Sequence, residues 1–267
     1  MRRRQRLSAT RFWLLTALIA AGTTGFVPAR AQDIATPHDH RYTFTYVWTS
    51  TVVAAYQSAA VPDGGTIKGT VLFSGSVPVK TVIPKDSAVC GPPFDEPQVI
   101  VSANKGVKDA VVYLDGIARG RPMAKPARTP ELDNKNCKFV PETQVISPGP
   151  IVVINSDPVL HNTKTFYGRR TAFNLALPNQ GQRITSELPR PGIVRVECDA
   201  HGHMHGTIYV ADNPYHDVTG TDGSFTITGV PPGQYTLVAY QRSTGPVQTT
   251  VTVKPRETVN VSIDLKK

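Results

Sequence analysis

The chain is predicted to be all-β, a β-sandwich protein, and three observations carry that prediction. Its 267 residues include 23 Pro and 21 Gly, a density of chain breakers that suits many short strands joined by turns. Its last segments alternate apolar and polar residues with a period of two. No stretch shows the apolar stripe of an amphipathic helix. An apolar content of 40% with 18% charged residues excludes a disordered chain and a multi-span membrane protein. The length suits one large domain or two modest ones.

The first segment is read as an export signal. Arg2, Arg3, Arg4, Arg6 and Arg11 surround the start of an apolar run from Phe12 to Val27, and Ala29-Arg30-Ala31 supplies small residues at the cleavage positions. Residues 1–31 are therefore a secretory signal peptide, cleaved near Ala31, which places the mature protein in the periplasm or outside the cell. Arg3-Arg4 also allows a twin-arginine reading, which the following Gln5-Arg6-Leu7 matches poorly. Removing the signal takes away 6 Arg and no acid. The whole chain has a net charge of +9, and 29 less 6 leaves 23 basic groups against 20 acidic ones, or +3. A nucleic-acid partner thereby loses its main support.

Residues 32–64 read as a linker or an extra strand. Tyr42 to Val61 is uncharged, but its Thr, Ser and Gln residues make a poor span, so no stable membrane span is expected in the mature chain. Thr66 to Phe73 reads as a strand ended by Ser74-Gly75, and Val107 to Leu114 as another ended by Asp115-Gly116. Ile151 to Ile154 follows a Pro-Gly-Pro turn, Gly192 to Glu197 leads to Cys198, and Thr207 to Val210 continues beyond. Asp217 to Thr219 and Phe225 to Ile227 flank Asp222-Gly223, the signal of a hairpin. Pro231-Pro232-Gly233 turns the chain into Tyr235 to Tyr240, and Val247 to Val253 and Thr258 to Ile263 alternate as half-buried strands do.

Chemistry concentrates in Cys198-Asp199-Ala200-His201-Gly202-His203-Met204. A thiolate, an imidazole and a thioether in one loop are the soft and borderline ligands that suit copper. A second imidazole from another strand would complete such a site. Asn155-Ser156-Asp157-Pro158-Val159-Leu160-His161-Asn162 supplies one, directly after the Ile151 to Ile154 strand.

These two segments resemble the cupredoxins, and the spacing Cys-x2-His-x2-Met is most similar to the amicyanin branch. The resemblance spans roughly Cys137 to Asp212, with Phe139-x-Pro141 and Pro148-Gly149 among its first strands. It implies a Greek-key β-sandwich holding one copper ion that cycles between Cu(I) and Cu(II). His161, Cys198 and His201 would be its equatorial ligands and Met204 the weak axial one. Asn162 matches the residue that ties the first ligand segment to the Cys loop. The choice of His201 over His203 comes from the family's spacing. Similar loops carry Pro and an aromatic residue at the places of Gly202 and His203. His203 and His205 are thus candidate ligands for an additional metal, or else a solvated surface feature. Cys90 and Cys137 remain, and in an oxidising compartment they are expected to form a disulfide, the rival being free or intermolecular thiols.

A second resemblance surrounds the first. Thr219 to Ile227 and Val230 to Leu237, with Gly65 to Val71 and Val107 to Leu114, are similar to a carboxypeptidase-regulatory-like, transthyretin-type β-sandwich. The expected organisation is a copper domain at 131–212, inserted in a sandwich whose halves are 65–130 and 213–267. The alternative is a tandem pair in which 65–130 belongs to the copper domain.

Together the resemblances imply an exported mononuclear blue-copper protein acting as a one-electron carrier. Cys198 would supply the covalent path and the edge of His201 the surface exit. Its partner would be a redox protein, such as a c-type cytochrome or a periplasmic oxidoreductase, with no role for nucleic acid. A copper-binding or delivery protein using the extra histidines is one alternative, and a structural cell-envelope module is the other. No acid–base dyad, nucleophile–base pair or phosphate loop stands out, so no enzyme activity is expected.

Overall fold

The computed structural model describes residues 56–266, within one unit of the chain, Val52–Lys267. The expected signal peptide with its cleavage point, and the part of the uncharged run from residue 42 to residue 55, lie outside the described residues. The described residues are all-β, with one single helical turn. In chain order they form β1 (Gln57–Ser58), β2 (Gly65–Leu72), β3 (Val79–Val82), α1 (Ser87–Cys90), β4 (Phe94–Pro97), β5 (Val111–Asp115) and β6 (Arg119–Gly120). Then come β7 (Glu131–Lys135), β8 (Lys138–Val140), β9 (Thr143–Ile146), β10 (Gly149–Asn155), β11 (His161–Tyr167), β12 (Arg170–Leu177), β13 (Arg183–Leu188), β14 (Gly192–Glu197) and β15 (His205–Val210). The chain ends with β16 (His216–Val218), β17 (Ser224–Val230), β18 (Gly233–Gln241), β19 (Gly245–Val253) and β20 (Thr258–Asp264). Among the described residues no helix is long and apolar enough to cross a membrane.

The strands sort into two sandwiches. One stacks the sheet β16-β5-β18-β19 on the sheet β17-β2-β20. Its interior is built by alternation: Phe225, Ile227 and Val230 of β17, Ile67 and Val71 of β2 and Ile263 of β20 are buried in one cluster with Leu114 and Leu237. The other stacks β13-β10-β7-β8 on β12-β11-β14-β15-β9, over a core that includes Leu132, Phe139, Ile151, Val194, Val196 and Ile208. The β10–β7 and β15–β9 pairs are parallel and the other pairs of these two sheets antiparallel, as crossing connections require. In the sequence the second sandwich lies between β5 and β16, which pair with each other in the first (Tyr113 opposite His216). Short β1, in the segment read as a linker or extra strand, pairs in parallel with β6.

One feature differs from the sequence expectation. Asp222-Gly223 makes a tight turn, but the strands it joins do not form a hairpin ladder. β16 pairs with β5 and β17 with β2, so the chain crosses from one sheet to the other. The inward residues of β17 complete the core opposite β5, which a hairpin beside β16 would leave uncovered. The segment 79–97 lies in the stretch 65–130, which the sequence assigns to the first sandwich or, in the alternative, to the copper domain. β3 and β4 pair with each other (Val79 opposite Pro97, Val82 opposite Phe94), and Val89 and Cys90 pack on the core of the second sandwich. A disulfide joins Cys90 to Cys137 of the β7–β8 turn, with a Cα–Cα distance of 5.3 Å. This arm reaches from one sandwich to cover an end of the other.

Candidate metal centre

Two strands set the centre by their pleat. In β11 the buried positions are His161, Thr163 and Thr165, and in β14 they are Val194 and Val196, followed by Cys198 just past its end. The strands are antiparallel neighbours (Lys164 opposite Glu197), so His161 and Cys198 enter the interior from adjacent positions. Asn155, the last residue of β10, donates from Nδ2 to the carbonyls of Val159 (2.9 Å) and Leu177 (2.8 Å), which fixes the loop delivering His161. The loop from Cys198 to Met204 joins β14 to β15 and closes on a turn, with Met204 N–H donating to His201 O at 2.9 Å.

The donor atoms of His161, Cys198 and His201 all lie within 4.8 Å of one another, and all three residues are buried. The two imidazole centroids are 4.7 Å apart, and His201 Nδ1 is 3.9 Å from Cys198 Sγ. The sulfur accepts two backbone N–H groups, from Asn162 and His201, each at 3.4 Å. Asn162 Oδ1 accepts Asp199 N–H at 3.1 Å, tying the β11 segment to the Cys loop. Met204 is buried in the same core cluster as Cys198.

Each imidazole is held by a carboxylate. Asp157 Oδ2 lies 2.9 Å from His161 Nε2. That carboxylate is itself fixed by the N–H groups of Asn136 and Cys137, both at 2.8 Å. Asp86 Oδ2 lies 2.8 Å from His201 Nε2. With Nε2–H given to Asp157, the lone pair of His161 sits on Nδ1, a buried nitrogen with no partner among the described residues. Burial holds the His161 imidazole below its ordinary pKa, the Asp157 hydrogen bond opposing and the charge of His201 adding to the shift. A neutral imidazole with a free, desolvated lone pair is what a metal ion requires. A sulfur, two imidazoles and a nearby buried thioether form the donor set of a trigonal His2Cys copper site with a weak axial Met. The residues present fit that ion.

Two sequence expectations are corrected here. The His201 edge is not a surface exit: the residue is 1% exposed and is covered by the β3–β4 arm through Asp86. His203 and His205 are not solvated surface groups either. His203 is buried against Phe94, edge to face with centroids 5.9 Å apart, and His205 is half-buried. Burial lowers both pKa values, that of His205 to about 4 with Arg242 and Lys80 adding. Together with Phe94, Glu96, Lys108 and Glu142 they line a hollow of about 210 Å³. Among the described residues neither joins a group of three or more His, Cys, Asp or Glu donors.

Sequence reasoning missed both carboxylates. Asp157 had a local signal, since it precedes His161 by four residues in an Asn-Ser-Asp turn. Asp86 had none, standing 115 residues from His201.

Residues 204–266 match the carboxypeptidase regulatory-like domain. No curated protein matches the chain. Among solved structures the chain is similar to a purple cupredoxin from Nitrosopumilus maritimus, with 21% identity and a TM-score of 0.28 over 31% of this chain and 99% of that one. It is similar to amicyanin from Paracoccus versutus with 15% identity and a TM-score of 0.29, over 38% and 97% of the two chains. A copper-containing nitrite reductase from Thermus scotoductus is 19% identical with a TM-score of 0.28, over 34% of this chain and 25% of that one.

Proposed function

We propose that this chain is an exported mononuclear copper protein that carries single electrons between redox partners. The observation that carries the reading is the buried cluster of His161, Cys198 and His201 donor atoms within 4.8 Å, with His161 Nδ1 unpaired. An unpaired nitrogen buried beside a sulfur and a second imidazole costs stability unless something binds it. Copper bound there supplies a one-electron Cu(I)/Cu(II) couple.

The chain's own residues prepare that couple. Asp157 and Asp86 orient the imidazoles, and the N–H groups of Asn162 and His201 fix the sulfur. The surrounding apolar core, Met204 included, excludes water. Donors held in place before and after transfer keep the reorganisation small, the requirement for fast electron exchange. The disulfide supports an oxidising compartment, in keeping with export. The partner in this reading is another redox protein, such as a c-type cytochrome.

The test is absorption spectroscopy on the mature chain titrated with Cu(II). A strong visible thiolate-to-copper band at one equivalent is expected, absent in Cys198→Ser and retained in His203→Ala and His205→Ala, with a reversible one-electron wave at an electrode. Tight binding without that band, and dependent on His203 and His205, would instead favour copper delivery through the hollow that these residues line. Failure to take up stoichiometric copper would sink both readings and leave a structural sandwich.

A further inference from the structure

We infer that Asp86, carried by the β3–β4 arm, is a positioning residue for the metal centre: it fixes the tautomer and closes the edge of His201, with the Cys90–Cys137 bridge as its tether. The inference rests on the copper reading and adds to it a residue from outside the cupredoxin-like segment. Asp86 stands at the start of α1, where an Asp side chain ordinarily accepts the N–H groups of its own helix. Here the side chain makes no such bond, and only the backbone carbonyl of Asp86 meets the helix, taking the N–H groups of Val89 (2.9 Å) and Cys90 (2.8 Å) as a cap carbonyl ordinarily does. The carboxylate is diverted to His201 Nε2 at 2.8 Å. With Nε2–H donated outward, the remaining lone pair of His201 is on Nδ1, the nitrogen that faces Cys198 Sγ.

The tether comes next in sequence. Asp86 is four residues before Cys90, and Cys90 is bonded to Cys137, whose N–H donates to Asp157, the carboxylate that holds His161. The two carboxylate–imidazole pairs thus converge on one disulfide. The donor atoms of Cys90, Cys137 and His201 lie within 4.8 Å of one another, as do those of Cys137, Asp157 and His161. Without the arm, His201 would lie on a seven-residue loop with its Nε2 edge open to solvent. With it, the residue is 1% exposed while the Asp86 side chain keeps 41% of its surface in water. A carboxylate that stays partly in water beside the ligand favours the more positive oxidation state of a bound ion.

The experiment compares the wild type with Asp86→Asn, Asp86→Ala, Asp86→Glu and the double variant Cys90→Ser/Cys137→Ser. Three readouts are taken: Cu(II) affinity by chelator competition, the reduction potential, and the 15N shifts of His201 in the metal-free protein. Asp86→Ala is expected to weaken Cu(II) binding about 10- to 100-fold, the usual effect of losing a partner that orients a ligand. Its potential moves upward and its His201 loses the single tautomer. Asp86→Asn keeps the volume and an acceptor oxygen, so it retains the fold and shifts the potential in the same direction. Asp86→Glu restores part of the affinity, and the double variant moves in the same direction as Asp86→Ala because the arm is released. Unchanged affinity and potential in Asp86→Asn and Asp86→Ala would overturn the inference while leaving the copper reading intact. If the wild type takes no copper, the copper reading fails. The metal-free 15N shifts then still report on Asp86, and a His201 with mixed tautomers in the wild type would overturn its role as well.

Discussion

His216 shows what burial does to an imidazole in this protein. It stands in β16 with its ring 6.1 Å from that of Tyr209. Burial lowers its pKa, Arg121 adds to the shift, and Asp217 opposes it. The folded state therefore prefers the neutral ring, and below the ordinary histidine value of about 6.5 the unfolded chain binds the extra proton. The stability due to the neutral ring is complete above that pH and is lost as the pH falls below it. Urea midpoints of the metal-free protein should drop between pH 7.5 and pH 5, and less steeply in His216→Gln; parallel slopes would refute the assignment. Residues of this kind divide by the range of their partners. His161 and Cys198 are legible in the sequence because each stands in a short run of metal-ligand residue types just after a recognisable strand. Asp86 is not, because only chain folding brings a carboxylate across 115 positions to His201.

At the scale of elements, the crossing from β16 to β17 depends on two glycines placed back to back. A Cβ on Gly106 would stand 1.8 Å from the carbonyl oxygen of Asp222. Gly223 has a φ of +80°, in the region that favours glycine. The turn is thus pressed against the 102–107 loop, where Val71 N–H donates to Gly223 O at 2.9 Å and Val107 N–H to Val71 O at 2.8 Å. Gly106→Ala should destabilise the protein by about 1–3 kcal/mol, the usual cost of overpacking, and chemical unfolding would reveal it as a lower midpoint. Asp-Gly in the sequence correctly marks a reversal of the chain. It does not say that the returning strand joins the other sheet, because that depends on which core face lacks a partner. Strands with strict alternation, such as β14, β19 and β20, are legible for the opposite reason, since one buried face is enough to define them.

For the whole molecule, the links between the two sandwiches matter most. Tyr113 of β5 stacks on Tyr209 of β15 with ring centroids 4.5 Å apart, in a small buried cluster with Val111 and Ala211. The Cys90–Cys137 bridge is the second link and spans 47 residues. Chain entropy predicts that closing a loop of this length stabilises the protein by about 4 kcal/mol. Reduced protein with its thiols blocked should lose roughly that amount in a urea titration, and an unchanged midpoint would show that the bridge serves geometry alone.

The all-β class, most of the strands of the first sandwich and the candidate segments around His161 and Cys198 follow from the sequence by itself. Each is written in local periods, turn residues and ligand spacing, which need no knowledge of distant partners. The tertiary structure alone decides that β17 changes sheets, that the 79–97 arm leaves one sandwich to cap the other, and that His201 is enclosed rather than exposed. These depend on surfaces meeting across long stretches of chain, where the stabilising partner of a residue leaves no mark on its neighbours in sequence. The same arm brings an aspartate, unremarkable in its own segment, to the candidate metal centre beside the Cys90–Cys137 bridge that the sequence leads one to expect.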